Sequence, residues 1–122
     1  MTSNLKRVRL ELARTTEYPE GNSGHGYEFI APINNNGHID SDDWKKFRQH
    51  CRVTRFAGDE TQTGMLRHVG RGWRFDYNDT TRDDDEPFFK LDRHTLMPGA
   101  YVSITEHDGI QRPFKIVSVT PA

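Results

Sequence analysis

Six histidines, one cysteine and a run of asparagine and aspartate are the residues of this chain whose chemistry suits metal binding or catalysis. The histidines are His25, His38, His50, His68, His94 and His107. No two of them stand three or four apart, and Cys51 has no second cysteine beside it, so zinc-type ligand spacing is absent along the chain. A histidine cluster would need distant strands to converge. The stretch from Asn34 to Asp43 can be aligned on Gly37 with a twelve-residue calcium loop, which puts Asn34, Asn36, Asp40 and Asp43 at ligand positions. Pro32 then falls on the first ligand position, where it offers no side-chain oxygen, and Asp43 stands where a longer bidentate Glu is needed. The stretch therefore reads as a turn leading into a capped helix. Cys51 reads as a small buried hydrophobe, and no Gly-x-Ser-x-Gly or comparable nucleophile signature is present. No catalytic residue, metal ligand or cofactor is assigned, and an enzyme is the secondary reading.

The charges carry more information. From Trp44 to Phe56 there are five basic side chains (Lys45, Lys46, Arg48, Arg52, Arg55) and no acid. Arg67, Arg71 and Arg74 follow, beside Trp73. From Asp76 to Asp92 seven acids face two bases, Arg82 and Lys90, a local charge of −5 beneath a chain total of −1. Cations interleaved with Trp and Phe on a small sheet are what single-stranded nucleic-acid binders present. The pI of about 6.6 is well below that of most such domains. The expectation is thus a non-enzymatic binding or protein-interaction module with a partner protein. Its contact surface is expected to be a basic-aromatic face of Trp44, Arg48, Arg52, Arg55, Arg71 and Trp73, or a histidine-glycine loop around His25. Two alternatives stand beside it. One is single-stranded nucleic-acid or anionic-ligand binding through the same face; the other is a small metal protein or enzyme using clustered histidines.

These residues need elements to position them. Val8, Leu10 and Leu12 alternate with Arg7, Arg9 and Glu11, the pattern of a half-buried strand over 5–13. Residues 14–26, with three glycines and a proline, are expected to form a loop, and Tyr27, Phe29, Ala31 and Ile33 a second strand. Asp40 or Ser41 can cap a helix over Ser41–His50. Asp42 and Asp43 lie in its first turn, Lys45, Lys46 and Arg48 toward its end, and Trp44 and Phe47 share one face. Strands are expected over 51–57, 63–69 and 73–78, the last with Trp73, Phe75 and Tyr77 on one face. An acidic loop over 79–87 precedes a short strand at 88–91, and strands over 101–106 and 112–120 flank an Asp108-Gly109 turn. The count is about seven or eight strands and one short α-helix in a mainly β fold, a small antiparallel barrel or sandwich.

Composition sets the remaining bounds. Of 122 residues only 33% are apolar and 29% are charged, but the net charge is too small for a disordered chain. Seven Phe, four Tyr and two Trp supply the buried area that aliphatics lack. One single domain spanning 1–122 follows. Met1–Leu10 has no apolar core of signal-peptide length, and no run is long enough to cross a membrane as a helix. With a lone cysteine as well, the expected setting is the cytoplasm.

Three stretches together resemble a family of small, uncharacterised proteobacterial proteins: Ser23–Pro32, Trp44–Arg48 running into Cys51-Arg52-Val53, and the closing run from His94 through Pro98–Ile104 and Asp108-Gly109 to Pro113–Val119. The resemblance spans nearly the whole chain. It implies a bacterial cytoplasmic setting and brings no activity and no functional residues with it. Separately, Trp73–Tyr77 followed by Phe89–Arg93 resembles part of the ligand-sensing, barrel-shaped WYL domain of bacterial regulators.

Overall fold

The computed structural model describes residues 5–16, 18–69, 72–77, 86–88, 95–105 and 110–122. Alternation of apolar and polar side chains dominates it. In β1 (Leu5–Leu12) Val8, Leu10 and Leu12 turn inward and are buried. β2 (Asn22–Pro32) buries Tyr27, Phe29 and Ala31 on the same side, and β3 (Arg52–Ala57) buries Val53 and Arg55. β4 is Glu60–Val69, β5 Gly72–Tyr77, β6 Glu86–Phe88, β7 Tyr101–Thr105 and β8 Gln111–Pro121. All pairings are antiparallel. A six-strand sheet in the order β7-β8-β1-β2-β3-β4 forms the body, and β5 and the three-residue β6 extend it beyond β4. The fold is mainly β with one short helix.

The ladders set which side chains meet. Leu10, Tyr27, Arg55 and Gln62 lie in one register row, and Val8, Phe29, Val53 and Gly64 in the next. The inward aromatics pack on one another. Tyr27 stacks on Phe75 with centroids 5.1 Å apart and meets Phe114 edge-on, also at 5.1 Å, so each contact adds to the area it buries. On the outer face Gly26 admits no side chain, because a Cβ there would collide with the Leu10 carbonyl oxygen. The edge of the Phe56 ring fills the space instead, and the Arg9 guanidinium lies 4.5 Å over that ring.

Two expectations about local structure are corrected. The stretch expected as a loop over 14–26 ends at Gly21, whose φ of 77° suits glycine; Asn22 already begins β2. His25 is therefore a strand residue, in register with Ala57 and half-buried, its ring 5.7 Å from Phe114. The glycines did not prevent pairing: the Phe56 ring covers Gly26, and the Gly24 carbonyl accepts the Gly58 N–H at 3.0 Å. The helix is also shorter than Ser41–His50. α1 covers Ser41–Phe47 and a 3₁₀ turn follows over Arg48–His50, closed by the Cys51 N–H on the Arg48 carbonyl at 3.2 Å. Tightening the last turn brings Cys51 into the core and starts the β3–β4 ladder, where the Leu66 N–H donates to the Cys51 carbonyl at 2.8 Å.

The acidic run Asp83–Asp85 and the Asp108-Gly109 turn lie outside the described residues. So do His94, His107 and the Phe89–Leu91 part of the strand expected at 88–91. Among the described residues no helix is long and apolar enough to cross a membrane.

Candidate functional site

The most distinctive surface lies where α1, the 3₁₀ turn and the start of β3 meet. Asp40 sets it up. Its carboxylate accepts the Asp42 and Asp43 N–H groups at 2.9 and 3.0 Å, capping the helix where its dipole favours negative charge. Trp44 then pins the helix to the sheet. Its Nε1–H donates to the Leu66 carbonyl at 3.0 Å, and its ring meets Trp73 edge-on at 5.6 Å and His68 at 5.9 Å. His68 stacks on Trp73 at 4.3 Å and completes the trio. With Trp44 turned inward, the next residues face solvent. Lys45, Lys46, Arg48, His50 and Arg52 are all exposed, and among the described residues none of the five has an ion-pair partner.

Beside this strip is a cleft of about 440 Å³ lined by Leu5, Ile30, Phe47, His50, Arg52 and Ala122. Its floor is apolar and its rim is cationic. Ile30 stands on the outward side of β2, between the inward Phe29 and Ala31, and so breaks the polar alternation of the outer face; Leu5, at the start of β1 and half-buried against the core, reaches the same cleft. That break was legible in the sequence and marks the floor. Phe47 was read only as a helix-face residue and His50 only as one of six histidines; the tightened turn places both at the cleft.

The residues expected to form one basic-aromatic face are divided. Arg48 and Arg52 lie together on the exposed strip. Trp44 lies beneath it as an anchor. Trp73 is only 1% exposed and belongs to the core, and Arg55 is 8% exposed and points inward, three residues and one reversal of alternation from Arg52. Arg71 lies outside the described residues, and His25 is distant from the strip in β2.

The catalytic and metal readings gain no geometry here. Burial pushes the Cys51 thiol up from 9.0 to about 11, and its S–H points at the Phe47 carbonyl at 3.4 Å, the environment of an inert thiol. In the calcium-like stretch the Asn34 side-chain oxygen is engaged by the Asn36 and His38 N–H groups, while the Asp40 carboxylate serves the helix cap. Among the described residues no three of His, Cys, Asp and Glu converge as a metal site would require. No family model, no curated protein and no solved structure matches this chain.

Proposed function

We propose that this chain is a non-enzymatic interaction module that binds an acidic, partly apolar segment of a partner protein on the strip Lys45, Lys46, Arg48, His50 and Arg52 and in the adjoining cleft. The observation that carries this reading is the exposed set Lys45, Lys46, Arg48 and Arg52, none with an ion-pair partner among the described residues, with Arg52 and His50 lining a cleft whose floor is Phe47, Ile30 and Leu5. A carboxylate reaching Arg52 or Arg48 gains a charge-assisted hydrogen bond, while a neighbouring apolar side chain leaves water against Phe47. A single-stranded nucleic acid fits this surface less well. Base stacking needs exposed aromatic faces, and Trp44 and Trp73 spend theirs on each other and on His68. The reading extends to the scaffold: the sheet closes into a small barrel, supported by β8 pairing with β1 and by Phe88 in register with Ile104. The setting consistent with a lone buried thiol is a reducing one such as the bacterial cytoplasm.

Fluorescence anisotropy with a labelled twelve-residue peptide alternating Glu and Leu tests the function. Binding should weaken as salt rises, and the Lys45→Gln/Lys46→Gln/Arg52→Gln variant should lose at least about tenfold in affinity, its melting curve unchanged. Tighter binding of oligo-dT than of the peptide at equal salt would overturn the protein-partner reading. An unchanged affinity in the triple variant would overturn the site.

A further inference from the structure

The β3–β4 hairpin carries opposite charges at its two ends. Arg52 stands at the base, on the rim of the cleft, and Asp59 and Glu60 form the tip; all three are exposed. The tip is an exposed turn tied to β2. Gly58, at φ 61°, makes the tight turn with no neighbouring atom near its Cβ position, and its N–H donates to the Gly24 carbonyl at 3.0 Å. The five residues of extended chain after Arg52 separate it from the turn by about 15–20 Å. Asp59 and Glu60 cannot reach the cleft at the foot of their own hairpin.

We infer that the occupant of this cleft is a second copy of the chain, whose β3–β4 turn seats Asp59 and Glu60 against Arg52, His50 and Arg48. This rests on the charged half of the acidic-partner reading above, since Gly58-Asp59-Glu60 carries no apolar side chain, and it names the partner. One such contact leaves a free tip on one molecule and a free cleft on the other, so a second contact either closes a two-fold dimer or extends a head-to-tail chain, and association grows with concentration. Because the contact is built from exposed charges, salt dissociates it.

Sedimentation velocity on the intact chain tests this. At about 200 µM protein and 20 mM salt the weight-average mass should exceed the 14.2 kDa of one chain, and at about 300 mM salt it should return to that value as screening sets in. Arg48→Glu/Arg52→Glu and Asp59→Lys/Glu60→Lys should each be monomeric, with melting curves confirming that they fold. Mixing these two variants should restore association, because each then offers the other a complementary tip and cleft. A wild-type chain that stays monomeric at low salt, or a mixture that fails to associate, overturns the inference. If the monomer still binds the Glu-Leu peptide through the strip, the proposed function stands and only the identity of the partner falls.

Discussion

The base and the tip of the β3–β4 hairpin share two strands and little else. At the base, the helix lies over the sheet, Trp44, His68 and Trp73 interlock, and Cys51 and Val53 are buried. At the tip, Gly58, Asp59 and Glu60 are exposed and a single backbone hydrogen bond ties the turn to β2. Stability is therefore concentrated at the base, while the tip is free to vary in charge. The same contrast applies to cations. Arg52 and Arg55 belong to one strand, but one serves the surface and the other the interior.

The largest expected effect is at the base. Trp73→Ala removes the ring against which Trp44 and His68 pack and should cost about 3–5 kcal/mol in urea unfolding. Asp59→Asn should stay within about 0.5 kcal/mol. Equal costs for the two would erase the distinction between base and tip.

Alkaline pH probes the same region through Cys51. Its folded thiol titrates near 11, above the unfolded value of 9.0. Its contribution is whole below pH 9 and is lost as pH rises toward 11, about 2–3 kcal/mol over that interval. The difference in stability between the wild type and Cys51→Ala should shrink across that range. A constant difference would show that the thiol does not report on the base.

A smaller effect falls on the helix that covers the base. Asp40→Ala removes the acceptor of two N–H groups and should cost about 1 kcal/mol, read from the thermal midpoint. It should also weaken the Glu-Leu peptide, because Lys45 and Lys46 are held in place by that helix. Peptide affinity that survives a frayed helix would shift the site toward Arg52 and the cleft.

Much of the scaffold was legible from residue periodicity. Val8, Leu10 and Leu12, then Tyr27 and Phe29, then Trp73 and Phe75 are each buried on the expected side, because strand alternation is local geometry. The Asp40 cap follows from local chemistry in the same way. The candidate site was only partly legible. A period of two places Arg52 and Arg55 on opposite faces, but composition grouped them as one basic patch. The glycines around His25 suggested a loop because sequence alone does not show that β3 and Phe56 lie alongside to hold them extended.

By itself the sequence determined the mainly antiparallel architecture, the short capped helix and the separation of basic from acidic segments, since each depends on neighbours within a few residues. Only the tertiary structure decided which aromatics are spent in the core, which arginine faces inward, and that a cationic rim borders an apolar cleft. Those outcomes depend on residues far apart in the chain, as when Trp44 bonds to Leu66 or when Phe47, Ile30 and Leu5 come to line one cleft, and no local rule encodes them.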